Sequence, residues 1–130
     1  MKKIINTAGA PAAVGPYSQA IECAGTLYIS GQLPIDPATG TMPAAVGEQT
    51  RICLENVGAI LAAAGYDRRD VVKSTVLLDD MDNFGAMNEV YAEFYPEEMP
   101  ARVCYQVARL PKNAKVEIET VAFKGPEQER

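Results

Sequence analysis

Pro100–Glu119, PARVCYQVARLPKNAKVEIE, is the stretch on which the reading of this chain turns. Arg102, Cys104 and Gln106 alternate with Val103, Tyr105 and Val107, and Lys115, Glu117 and Glu119 alternate with Val116 and Ile118. A period of two marks a strand with two unlike faces, so the segment holds two strands. Between them, Leu110-Pro111-Lys112-Asn113-Ala114 has turn chemistry, and the two runs are expected to fold back on each other as an antiparallel pair. Arg102 and Glu117 then come close on one sheet face. Such a pair reads either as an anion anchor beside a proton-transfer group or as a structural salt bridge, and the segment alone leaves both open.

Working outward, Val71–Leu78, VVKSTVLL, is β-branched and reads as a central strand. Asp82 is a good N-cap for a helix running to about Tyr95, with Phe84, Met87, Tyr91 and Phe94 on one stripe and Pro96 ending it. Ala44–Ala64 is the strongest helix. Val46, Cys53, Val57, Ile60, Leu61 and Ala64 form its apolar stripe, Glu48, Gln49, Arg51, Glu55 and Asn56 its wet side, and Gly65 its stop. Nearer the N-terminus, residues 2–6 read as a short strand and Thr7–Tyr17 as an irregular loop. Ser18–Cys23 and Thr26–Ser30 read as a hairpin about Ala24-Gly25, and the proline-broken Gly31–Pro43 as a loop. Gly125–Arg130 is polar and expected to fray.

The order β-β-β-α-β-α-β-β implies an α+β fold, with both helices on one face of a mixed, mostly antiparallel sheet. The other face is left uncovered. Val121 and Phe123 share that face with Glu117, so a further subunit is expected to cover it.

The 130 residues fit a single domain, 1–130, with 48% apolar and 22% charged residues. A net charge of −5 with scattered Lys and Arg argues against nucleic acid. No apolar run is long enough to span a membrane, and MKKIINTAGAP is too poor in large apolar residues to read as a signal peptide. Cys23, Cys53 and Cys104 form no CxxC and are expected to be reduced thiols in a cytoplasmic protein. The absence of His removes Ser-His-Asp and Cys-His catalysis and His-ligated metals, and no phosphate-binding glycine motif is present. Carboxylate, guanidinium, hydroxyl, thiol, amide and backbone groups remain.

Each candidate has a bland counterpart. A strand Arg such as Arg102 is usually a surface charge, yet its planar fork suits a carboxylate. Glu117 between Val116 and Ile118 is more often solvent-facing, yet if half-buried it is a general acid/base. Cys104 is more readily a small buried hydrophobe than a nucleophile, though its backbone N–H can bind an anion. Tyr17 closes a loop, Ser30 precedes a glycine at a strand end, and Asn88 lies beside the second helix's stripe, where it needs a partner if buried.

GPYSQA (Gly15–Ala20), SGQLP (Ser30–Pro34), PARVC (Pro100–Cys104), VARLPK (Val107–Lys112) and VEIE (Val116–Glu119) occur in this order. Together they closely resemble the RidA family of reactive-intermediate deaminases, also called the YjgF type, over about Ala8 to Phe123. The resemblance implies a chorismate-mutase-like α+β fold and a homotrimer with a central barrel and sites between subunits. It implies hydrolysis, without a cofactor, of 2-imino or enamine acids such as 2-iminobutanoate and 2-iminopropanoate to 2-keto acids and ammonia. Carried over, Arg102 holds the substrate carboxylate with help from the Cys104 backbone. Glu117 activates water and moves protons, Tyr17 comes from the neighbouring subunit, and Ser30, Gly31 and Asn88 line the pocket. Val103 and Tyr105 are bulkier than the residues often found there but are expected to face away from Arg102. A short Tyr95–Met99 segment leaves side-chain preference open. Two alternatives belong to other classes: a non-catalytic sensor of small carboxylates, and a ribonuclease or translation inhibitor.

Overall fold

The computed structural model describes residues 1–126. In chain order the elements are β1 (Lys3–Ile5), β2 (Ala20–Cys23), β3 (Thr26–Gln32), α1 (Val46–Ala63), β4 (Val71–Leu78), α2 (Phe84–Phe94), β5 (Ala101–Gln106) and β6 (Val116–Phe123). They build a six-stranded sheet in the order β1-β2-β3-β6-β4-β5, antiparallel except where β4 meets β5. That parallel pair is joined by α2, the crossover such a pair requires.

The expected hairpin of the two late strands does not form. β6 inserts between β3 and β4, while β5 lies at the sheet edge beyond β4. The intervening stretch is no hairpin turn: Pro111–Asn113 is a 3-10 turn with Lys112 and Asn113 at φ 57° and 56°. Composition explains the outcome. In β6, Val116, Ile118, Thr120 and Ala122 are at most 1% exposed, as suits a central strand, whereas β5 has no buried residue and suits an edge.

Both helices pack on one sheet face. Leu54, Val57, Ile60 and Leu61 of α1 and Met87, Val90 and Tyr91 of α2 share one core with Leu27, Ile29, Val76, Leu78, Val116 and Ile118. Burying each large aliphatic side chain stabilises the fold by roughly 1.5–3 kcal/mol.

Several expectations need correction. Gln49 and Asn56 are buried, not on the wet side of α1, because they serve as backbone partners. Asn56 Nδ2 donates to the carbonyls of Leu33 (3.1 Å) and Ile35 (3.0 Å). Gln49 Nε2 donates to the Pro43 carbonyl (2.7 Å), and Gln49 Oε1 accepts from the Lys115 N–H (2.8 Å). These bonds fix the loop at residues 33–43, whose prolines keep it out of the sheet. The cap before α2 is Asp80, whose carboxylate accepts the Asp82 N–H (2.8 Å) and opens a 3-10 turn at Met81–Asn83. β3 runs on to Gln32 through an irregularity between Ile29 and Gln32. The Ala24-Gly25 hairpin forms as expected, with both φ values positive (49° and 84°). A Cβ on Gly25 would meet the Gly125 backbone, and the Lys124 N–H donates to the Gly25 carbonyl (2.8 Å), so the expected fraying does not begin at Gly125. Residues 127–130 of that expected tail lie outside the described residues.

The second sheet face carries no helix and is apolar in part. Tyr28, Val103, Tyr105 and Phe123 are each about half exposed there. Glu117 sits in the same cross-strand row as Leu77 and Tyr105.

Candidate active site

Glu117 stands on the uncovered face. Its neighbours on β6, Val116 and Ile118, are fully buried on the helix side, so alternation turns Glu117 away from the helices. Its carboxylate lies directly over Gly31: a Cβ there would collide with Glu117 Oε2 and stand 2.9 Å from Cδ. Glycine is needed for this close approach, since Gly31 is not in a left-handed conformation. Partial burial raises the Glu117 carboxyl above its ordinary value, and the negative Glu119 on the same face raises it further.

The chain beside Gly31 is held by Gln19, which is 3% exposed. Its Oε1 accepts the Thr7 N–H (2.8 Å), and its Nε2 donates to the carbonyls of Thr7 (3.1 Å), Ala10 (3.3 Å) and Pro11 (2.8 Å). Ser30 closes the base of this loop: its N–H donates to the Gln19 carbonyl (2.9 Å) and its hydroxyl to the Ser18 carbonyl (2.6 Å). Half-exposed Tyr17 and Gly31 line one cavity of about 280 Å³ together with Val14, Gln19 and Leu33. Tyr17, Ser30, Gly31 and Glu117 therefore gather on one side of the molecule.

Arg102 belongs elsewhere. It pairs in register with Ser74 of β4, which is fully buried under the helices. Its Nη1 donates to Asn88 Oδ1 (2.8 Å), and its Cζ lies 4.8 Å from the centre of the Tyr91 ring and 5.5 Å from that of Phe84. Asn88 thereby finds, in the Arg102 side chain, the partner it was expected to need. Cys104 is half-buried against the core, and burial raises its thiol, which favours the protonated hydrophobe over a nucleophile. Its backbone is better placed than its sulfur. The Val107 N–H donates to the Leu78 carbonyl (2.8 Å), so alternation directs the Cys104 N–H out of the free edge of β5.

Arg102 and Glu117 thus occupy opposite sheet faces with β4 between their strands, and they form no salt bridge. The expected same-face pair is overturned because strand order, which local alternation cannot encode, places β6 inside the sheet. One chain holds two clusters: Tyr17, Ser30, Gly31 and Glu117 in one, Asn88, Arg102 and Cys104 in the other. Sequence reasoning missed Gln19, Phe84 and Tyr91 as site supports. For the latter two, the Phe84-Asn88-Tyr91 spacing was the available signal.

Residues 7–124 match the family described as Endoribonuclease L-PSP. The chain belongs to this family. Its RidA membership is also evident in its relatives. A Bos taurus protein named 2-iminobutanoate/2-iminopropanoate deaminase is 53% identical over 97% of this chain and 93% of its own length. A RutC family protein of Pyrococcus horikoshii is 54% identical over 95% of this chain and 99% of its own. Among solved structures, E. coli TdcF with bound serine is similar at a TM-score of 0.92 and 47% identity, covering 95% of this chain and 99% of that one. The RidA-type fold, α+β with two helices on a mostly antiparallel sheet, is common to both structures.

Proposed function

We propose that this chain hydrolyses small 2-imino and enamine acids, with 2-iminobutanoate and 2-iminopropanoate as type substrates, to 2-keto acids and ammonia. The observation that carries the reading is a carboxyl group raised by burial, seated on a glycine, in a chain that also holds a pre-oriented guanidinium. Deaminase relatives matched over nearly their whole length support the same substrate class.

Because the two clusters face apart, a complete site needs two copies of the chain. One copy supplies Arg102, Cys104 and Asn88, and the next supplies Tyr17, Ser30, Gly31 and Glu117. A homotrimer with its sheets around a central barrel brings such pairs together and covers Tyr28, Val103, Tyr105 and Phe123, whose exposure supports the assembly. The expected inter-subunit placement of Tyr17 is thereby extended to Glu117.

In this site the Arg102 guanidinium and the Cys104 N–H hold the substrate carboxylate. The protonated imine carbon is already electrophilic. Ionised Glu117 takes a proton from a water as its oxygen bonds to that carbon, giving a tetrahedral aminoalcohol. Glu117 returns the proton to nitrogen, the C–N bond breaks as the carbonyl forms, and ammonia leaves with the second hydroxyl proton passing to solvent or nitrogen. The residues perform this without a cofactor, and the reaction belongs in the cytoplasm. Among the described residues no helix is long and apolar enough to cross a membrane.

The test is loss of imine in a coupled dehydratase assay. The expected result is hydrolysis well above the uncatalysed background, lowered about 10²-fold or more in kcat/KM by Arg102→Ala and about 10²–10⁴-fold in kcat by Glu117→Gln. Background rates in the wild type, or full activity in Arg102→Ala, overturn it. Full biological function with Glu117→Gln selects the carboxylate-sensor alternative. RNA cleavage, which the family description names, is opposed by the net charge of −5 and the absence of His; salt-dependent RNA binding by the purified protein restores it.

A further inference from the structure

We propose that Tyr91 is a positioning residue for Arg102, its ring setting the plane of the guanidinium so that the free edge meets a carboxylate. The inference rests on the functional reading above and deepens it.

Three side chains of one helix stripe hold Arg102. Phe84, Asn88 and Tyr91 fall at i, i+4 and i+7 on α2, the spacing of a single face. Asn88 takes one N–H of the guanidinium (2.8 Å), while the Tyr91 ring lies under the charge at 4.8 Å and Phe84 at 5.5 Å. One edge contact and two ring contacts define both the position and the tilt of a planar group. The remaining N–H groups are left for a ligand.

Tyr91 is the inner and more constrained of the two rings. It is 6% exposed and packs in the core, whereas Phe84 is only partly buried. Its hydroxyl faces that of fully buried Ser74, the residue in register with Arg102. The ring is thus wedged between α2 and the β4 position beside Arg102, and it cannot slide without moving the core. An arginine tilted in advance loses less freedom when it binds a carboxylate than one that must be ordered by the ligand.

The experiment measures KM and kcat for 2-iminobutanoate generated in situ, and the competitive Ki of 2-ketobutanoate, for Tyr91→Phe, Tyr91→Leu and Arg102→Ala. Tyr91→Phe keeps the ring and is expected to hold KM and Ki within about twofold of wild type. Tyr91→Leu is expected to raise both about tenfold with kcat within about threefold. In an Arg102→Lys background, whose ammonium has no plane to orient, Tyr91→Leu should change Ki less than about threefold. An equal tenfold rise in that background would mark a merely structural role and overturn the inference. If Tyr91→Leu fails to fold, Phe84→Leu gives the smaller rise of about threefold expected from the outer ring, and no rise overturns it. A wild-type Ki in folded Tyr91→Leu beside a lost Ki in Arg102→Ala overturns this inference alone. A wild-type Ki in Arg102→Ala overturns the functional reading and this inference with it.

Discussion

The two clusters are built by opposite means. Around Arg102, side chains converge: an amide takes one N–H, and two rings lie 4.8 and 5.5 Å from the guanidinium carbon. Around Glu117, side chains are withheld. A glycine lies beneath the carboxylate, no cation among the described residues pairs with it, and the charge that acts on it is that of another glutamate. The contrast follows from what each group is proposed to do. Holding an anion requires donors in a fixed fork, and every contact that fixes it helps. Moving a proton near neutral pH requires a carboxylate whose charge is poorly solvated, and every cation or donor that contacted it would draw its pKa back down.

The largest effect that could break this contrast comes from mixing variants. Arg102→Ala spoils one cluster and Glu117→Gln the other, and each alone is expected to lose activity by about 10²-fold or more. Refolded together in equal amounts, the two should recover about a quarter of wild-type activity, because about one site in four then joins two intact halves. Mixing Glu117→Gln with Gly31→Ala should recover nothing, since both lie in the same cluster. No recovery in either mixture, measured by the deaminase assay, would place Arg102 and Glu117 in one site from one chain.

Gly31→Ala sharpens the comparison from the other side. The added methyl occupies the place of Glu117 Oε2, so the carboxylate must swing off its floor. A fall in kcat of about tenfold or more is expected from the displaced base, with the Ki of a keto acid within about threefold because the anchor is untouched. Asn88→Ala should do the reverse on a smaller scale. It frees one guanidinium nitrogen, and a rise in Ki of about fivefold with kcat nearly unchanged is expected from the loss of one charge-assisted bond.

The difference between the clusters also explains what could be read from the chain. Helix stripes, the Ala24-Gly25 hairpin and the strand character of VVKSTVLL are local, and periodicity reveals them. The insertion of β6 between β3 and β4 is not local. PARVCYQ and KVEIET have the same alternation whether they pair with each other or with distant strands, so the wrong partner put Arg102 and Glu117 on one face. Only the residue types hinted at the true order: Val116, Ile118, Thr120 and Ala122 make a face fit for burial, whereas Arg102, Cys104 and Gln106 suit an edge. Gln19, Gln49 and Asn56 were illegible for a related reason. Their role is to satisfy the backbone of loops with no periodicity of their own, and an amide on a helix or strand face looks like a wet residue until that loop is in place.

The smallest expected effect is the most specific to the Glu117 cluster. Burial and the charge of Glu119 both raise the Glu117 carboxyl, and ionised Glu117 is the form that accepts a proton from water. Activity should therefore fall as pH drops through this raised value, placing the acid limb of kcat above the ordinary carboxylate range. Glu119→Gln removes the repelling charge, the ionised form becomes easier to reach, and the limb should move to lower pH. The shift should shrink in high salt, because Glu119 is exposed and its field is screened. Stability carries the matching sign. A carboxyl raised in the native state contributes stability that is present below its unfolded pKa and is lost as pH rises through the native value. Glu117→Gln should flatten that decline in chemical denaturation across mildly acidic pH, while Arg102→Ala leaves its slope unchanged. A slope carried by Arg102 instead would mean that the two residues do sense one another within a chain, and the opposition between the clusters would not hold.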